Sequence, residues 1–251
     1  MFPIVPFYVL TGGYKMTKPI RTSLVFLTVV FLASTTNVWA TPISWTDWTA
    51  FTAGNLTGTA TGVISTGLNV SYAGQVGSNS VVNGVGGNTS WLPASTFSGG
   101  NVSNGPAPNR DNITLTGGTG TGVNTITFSS PVTNPVMAIW SLGAGGAPAS
   151  FVFLPTEPFT IQSGGPSVEF GGSSITAAGN TVNGVEGNGT IQFNGTFTQI
   201  SWTNPQFEFY YAFTVGAPGT PTPPIPGPST YIMLGAGLLA ISVLIRRRAL
   251  R

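Results

Sequence analysis

The 251-residue chain has no cysteine and no histidine. Without cysteine it can form no disulfide, no thiolate metal site and no Cys nucleophile. Without histidine it lacks the commonest general base and metal ligand at neutral pH. Charge is scarce and unevenly placed. Lys15, Lys18 and Arg21 lie near the start, and Arg246, Arg247, Arg248 and Arg251 close the chain. Between them stands a single base, Arg110, with all six acids: Asp47, Asp111, Glu157, Glu169, Glu186 and Glu208. The basic overall pI therefore belongs to the ends, and the middle is mildly acidic and free of lysine. A nucleic-acid footprint needs clustered Lys and Arg to displace phosphate counterions, so nucleic acid is not an expected partner. A domain without disulfides has to rely on core packing, and a region of this size can build a core.

What is present at the ends reads as addressing. "MTKPIRTSLVFLTVVFLASTTNVWATP" carries a basic start (Lys18, Arg21), an apolar run (Leu24–Leu32) and Val38-Trp39-Ala40 ahead of a cleavage point. That is the layout of a secretory signal peptide cut after Ala40, with the Sec export machinery as its partner. The alternative, an uncleaved anchor, is disfavoured because the run is well short of the ~20 residues a membrane span needs. Residues 1–40 are read as signal, with Met16 as the expected start and Met1–Lys15 as an upstream extension.

At the other end, Tyr231–Ile245 is apolar or glycine except for Ser242. At ~1.5 Å per residue this stretch falls a few ångströms short of a ~30 Å hydrocarbon core. Thr230 and snorkelling arginines make up the difference. A single transmembrane helix over 231–245 is expected, with Arg246, Arg247 and Arg248 as a cytoplasmic basic anchor. The alternative of a buried core helix fits poorly with three arginines at the chain terminus. Before it, residues 216–225 read as a Pro/Gly/Thr-rich spacer that holds the following motif extended.

Pro226-Gly227-Pro228, then Ser229-Thr230, a short apolar helix and a terminal Arg cluster form a three-part pattern over 226–251. It resembles the PEP-CTERM sorting signal of Gram-negative bacteria, with glycine at the position where that family carries glutamate. The Gram-positive LPxTG signal has the same architecture, but no Leu-Pro-x-Thr-Gly precedes this helix. The PEP-CTERM resemblance implies transient anchoring in the membrane and cleavage near the motif by an exosortase-like enzyme. It also implies a final place at the cell surface or in an exopolysaccharide or biofilm matrix.

The exported region, 41–215, contains no convincing helix. "FEFYYAFTV" alternates over nine residues, placing Phe207, Phe209, Tyr211, Phe213 and Val215 on one face. Asn194-Gly195 sits between two β-rich runs, Thr190–Phe193 and Thr196–Trp202, which is a hairpin signal. The expectation is therefore a three-stranded antiparallel meander over Gly189–Val215. Upstream, strands are expected at Thr125–Phe128, Val136–Leu142, Ser150–Leu154 and Phe159–Gln162. Val136–Leu142 is apolar on both faces, as in a central strand. The phrase "ITFSSPVTNPVMAIWSLG" resembles a segment common among exported PEP-CTERM proteins. Ile43–Phe51 is read as one opening strand with Trp45 and Trp48 on opposite faces, and Thr52–Asn109 as edge strands and long loops. The expected class is all-β: one antiparallel β-sandwich or jelly-roll-like domain.

Few residues suggest chemistry. Asp111, read as an exposed loop acid, is a candidate Ca²⁺ ligand, but no acid cluster has calcium-loop spacing and solvated charge is the simpler reading. Glu157 and Glu169 could form a carboxylate pair for glycoside hydrolysis. Any sandwich with several acids offers such a pair, and Glu186 has the same standing. Trp91, Trp140 and Trp202 could stack on sugars, although tryptophan in a sandwich is more often core. Trp91, in a Gly/Asn-rich setting, is the candidate sugar contact. The sequons at Asn55, Asn112 and Asn194 are expected by chance in so Asn- and Thr-rich a chain. The leading expectation is a non-enzymatic surface or matrix protein without cofactor, metal or catalytic residues, structural or adhesive in role. A carbohydrate-binding module is the alternative, and a hydrolase the third reading.

Overall fold

The computed structural model describes residues 40–65, 67–84, 89–107, 111–118, 120, 122–219, 237 and 246. The signal segment up to residue 39, the motif Pro226–Thr230, and the apolar stretch apart from Gly237 lie outside the described residues. Among the described residues no helix is long and apolar enough to cross a membrane.

The described body is all-β. Its strands are β1 (Ile43–Trp45), β2 (Asp47–Thr52), β3 (Gly54–Ser65), β4 (Leu68–Val76), β5 (Ile113–Gly117), β6 (Asn124–Thr133), β7 (Val136–Leu142) and β8 (Ala149–Phe153), then β9 (Phe159–Gly164), β10 (Ser173–Ser174), β11 (Thr176–Ala178), β12 (Thr181–Gly184), β13 (Gly187–Phe193), β14 (Thr196–Thr203) and β15 (Phe207–Pro218). They form two sheets. One has the order β1-β15-β7-β13-β10, with β5 also on β15 and β9 also on β13. The other runs β11-β12-β8-β14-β6-β4-β3-β2. Strand pairing is antiparallel except for the two-residue β10/β13 pair.

The two sheets share one core. Trp48, Tyr72, Ile126, Phe128, Phe151, Phe153 and Trp202 come from one sheet, and Ile113, Leu115, Met137, Ile139, Phe193, Tyr211 and Phe213 from the other. Fully burying each such side chain contributes about 1.5–3 kcal/mol, which is how a disulfide-free body holds together. A smaller cluster lies on the outer face of the first sheet. There Trp91 and Phe97 cover Ala138, Trp140 and Ala212, with Trp45 packed against them. This explains the two-sided apolar pattern of β7: Met137 and Ile139 face the main core, while Ala138 and Trp140 face the second cluster.

Four expectations are corrected. The runs at Gly189–Val215 are strands, but they do not form a meander. β13 pairs with β7 and β9, β14 with β6 and β8, and β15 with β1, β5 and β7. Asn194-Gly195 is thus a corner between sheets, not a hairpin turn. Ile43–Phe51 is likewise two strands, with β1 on β15 and β2 on β3. The chain changes sheet at buried Thr46, whose amide and hydroxyl both donate to Val215 O at 2.9 and 2.7 Å. Within Thr52–Asn109, β3 and β4 form a long hairpin in the sheet interior, not an edge. The alternation there was muted because the inward residues of β3 include Gly58, Ala60 and Gly62. Gly62 has to be small: a Cβ there would lie 2.7 Å from Asp47 O and 3.1 Å from Trp48 Cα. Finally, Gly216, Ala217 and Pro218, read as spacer, continue β15 and pair with Trp45, Ser44 and Ile43.

Candidate functional site

Apart from Asp47 and Asp111, the acids stand singly, and most are tied into the scaffold. Asp111 is not an exposed loop acid. It is 0 % exposed, and its Oδ1 accepts a hydrogen bond from Gly84 N at 2.5 Å. Burial pushes its carboxyl above the ordinary Asp range. The amides of Gly84 and Trp48 pull it back in part, and neighbouring Asp47 adds to the rise. Asp47 and Asp111 form a close acidic pair. Among the described residues no group of three or more Asp and Glu is placed to hold a metal.

Glu157 and Glu169 are not brought together as a catalytic pair. Glu157 is buried and clamps a turn, its Oε1 accepting from Ser201 N (2.8 Å) and its Oε2 from Leu154 N (3.2 Å). Burial raises its pKa, and these two amides lower it in part. Glu169 instead accepts from Thr89 Oγ1 at 2.5 Å, joining two loops. Glu186 accepts from Ser141 Oγ at 2.6 Å, while Ser141 N donates to Asn188 Oδ1 at 2.8 Å. Both Ser141 (φ +55°) and Glu186 (φ +51°) adopt left-handed backbone, and the side-chain bond fixes the irregularity where β7 meets β13. A surface groove of about 540 Å³ beside Pro218 and Gly219 is lined by residues that include Thr41, Asn101, Asn134 and Gln192, and among the described residues lining it none is titratable.

Trp91, the candidate sugar contact, is 0 % exposed and packs edge-on against Phe97 at 5.2 Å. Its ring presents no face to a ligand. Trp140 and Trp202 are also buried. Asn112 is buried as well, so its sequon offers no accessible side chain. The position of Trp91 follows from β7: two-sided apolarity requires a cover, and the segment beginning at Ser90 supplies it.

Exposed aromatic surface lies elsewhere, on two residues that the alternation of the sequence places on one face with Tyr211, Phe213 and Val215. Phe207 is 66 % and Phe209 83 % exposed, and their rings meet at 6.3 Å with an interplanar angle of 61°. The cause is a bulge. Phe207 pairs with Gly117 and Tyr211 with Leu115, so four steps of β15 span two of β5. Regular alternation would turn Phe209 inward with Tyr211 and Phe213. The bulge sends Phe209 outward and places Glu208 inside at 7 % exposure. Burial, and secondly the nearby Glu208, push the Tyr211 phenol well above its ordinary range.

The approach to this bulge is anchored by a buried polar network. Asn204 Oδ1 accepts from Trp202 Nε1 and Asn124 Nδ2, both at 2.9 Å, and Asn204 Nδ2 donates to Ser150 O at 2.8 Å. Gly118 N donates to Asn204 O at 2.8 Å, and Ser150 Oγ to Gln206 Oε1 at 2.6 Å. No sequence signal marks the bulge, because the alternation of "FEFYYAFTV" is complete without it. No protein-family model matches the chain, and no curated protein and no solved structure matches it either.

Proposed function

We propose that this chain is an exported protein of the cell surface or extracellular matrix, delivered by its N-terminal signal and its PEP-CTERM-like tail. Its role in this reading is structural or adhesive and non-enzymatic, in association with exopolysaccharide or biofilm. The observation that carries it is the placement of the two ends of the body. β1 and the last residues of β15 are paired side by side, and Gly219 N donates to Pro42 O at 2.7 Å. With the signal cut after Ala40, the tail follows Gly219 at the pole of the body where β1 begins, so in this reading that pole faces the membrane during anchoring. The spacer, the Pro226–Thr230 motif, the helix over 231–245 and Arg246–Arg248 then act in turn: linker, processing site for an exosortase-like enzyme, transient anchor and topological plug. The dispersed, scaffold-bonded carboxylates support a structural body over a hydrolase.

The intact mass of the protein, recovered separately from membranes and from the culture matrix, tests this reading. A matrix form beginning at Thr41 and ending near Pro228 is the expected result. A form retaining Arg251 and found only in membranes would overturn the processing step. The carbohydrate-binding reading is favoured by a different observation, the exposed Phe207/Phe209 pair.

A further inference from the structure

Phe207 and Phe209 break the ordinary economy of burial. The bulge exposes two phenylalanines and encloses an acid, where plain alternation would have done the reverse. A local rule broken in an otherwise consistent fold marks a functional position more often than an accident. The chain entering the bulge is held in place: Asn204 and Gln206 bond to Trp202, Asn124, Ser150 and Gly118 just before Phe207.

Three facts select the occupant. First, position: β15 runs from Phe207 to Pro218, and the chain leaves beside Pro42. At ~3.3 Å per residue that places the pair roughly 30 Å from the exit. The pair thus stands at the far end of β15 from Gly219, the last described residue of the body. Second, area: a phenylalanine offers about 150–250 Å², so the two rings expose roughly 300 Å². That is well below the ~800 Å² per partner of a stable protein interface and suits one or two sugar rings. Third, charge: residues 41–215 hold one base against six acids, so an anionic polymer meets no cluster of cations.

We infer that Phe207 and Phe209 form a stacking platform for an uncharged polysaccharide, the C–H faces of its pyranose rings lying on the exposed aromatic rings. This deepens the surface-protein reading by naming what the exported body holds, and it rests on that reading for the polymer's presence outside the cell. Binding is weak per site, as a small exposed platform dictates, and gains strength when many copies share one polymer.

The test is affinity gel electrophoresis of the purified full chain in a polyoxyethylene detergent, which carries no sugar headgroup to compete. Gels contain hydroxyethyl cellulose, laminarin, galactomannan or dextran, with alginate as the anionic control. The expected result is retardation in at least one uncharged gel. Phe207→Ala/Phe209→Ala should weaken it tenfold or more, and Phe207→Tyr/Phe209→Tyr, which keeps the rings, should preserve it. The single Phe209→Ala provides a milder variant, and unchanged unfolding midpoints establish that each variant is folded. Retardation absent from every uncharged gel, confined to alginate, or indifferent to loss of both rings overturns the proposal. So does a wild-type dimer in sedimentation that the double variant dissociates, since the occupant is then a second copy. The readout uses purified protein, so it succeeds or fails independently of the mass measurement that tests export and processing.

Discussion

Asn134 and Gly195 are bonded to each other twice: Asn134 N donates to Gly195 O at 2.7 Å, and Gly195 N to Asn134 Oδ1 at 3.0 Å. Each residue sits where the chain leaves one sheet for the other, Asn134 between β6 and β7 and Gly195 between β13 and β14. The two corners run side by side, because β6 pairs with β14 in one sheet and β7 with β13 in the other. Asn134 has φ +53°, which asparagine tolerates better than most residues. Asn134→Ala loses both that tolerance and the side-chain bond, at a cost of about 1–3 kcal/mol. Asn134→Gly keeps the backbone and loses only the bond, so it should cost less. Urea unfolding followed by tryptophan fluorescence ranks the two, and a reversed order would show that the left-handed backbone at this position costs alanine little.

Asp111 makes stability depend on pH in an uncommon direction. An unfolded Asp titrates near ~3.9, and burial raises the folded value. The folded state therefore holds the proton more tightly, and stability falls as pH rises from the unfolded value through the folded one. Glu157, also raised by burial, has the same sign. The unfolding midpoint should be higher in mild acid than at neutrality. Asp111→Asn, which cannot ionise and keeps an acceptor for Gly84 N, should flatten the trend. A steeper or unchanged slope in that variant would assign the effect elsewhere.

Gly171 and Gly172 are neighbours with left-handed backbone, φ +66° and +79°, but different surroundings. A Cβ on Gly171 meets nothing within 4 Å, whereas one on Gly172 would lie 1.9 Å from Glu186 O. Gly171→Ala should cost only the backbone strain, about 1–2 kcal/mol. Gly172→Ala also has to displace backbone at the Ser141/Glu186 bond and should cost several times more, or prevent folding. Equal midpoints for the two variants would mean that the Glu186 loop yields easily.

Trp91 and Phe209 should exchange the roles that their sequence settings suggest. Trp91→Ala empties the cover over Ala138 and Trp140 and should lose about 3–5 kcal/mol. Phe209→Ala removes an exposed ring, and its effect on stability should stay within about 0.5 kcal/mol. Denaturant midpoints for both, measured beside retention on uncharged gels, separate packing from binding. A large stability loss in Phe209→Ala would make that ring part of the core.

Sequence alone determined the class of this body and the limits on its chemistry. Alternation, β-branched runs and frequent turn residues are local signals, so the strands read at Val136–Leu142, Phe159–Gln162 and Thr196–Trp202 match observed strands to within two residues. The missing cysteine and histidine removed whole reaction types before any fold was known. Tertiary structure decided which strands meet. Asn194-Gly195 looks the same locally whether the chain folds back in one sheet or crosses to another, and only the competing partners β6 and β7 settle it. Burial of Asp111, the cover made by Trp91 and the outward turn of Phe209 were decided the same way. Each depends on a partner far along the chain: Gly84 for Asp111, Trp140 for Trp91, and β5 for the bulge before Tyr211. Such long-range pairing leaves no periodic trace in the residues that it repositions.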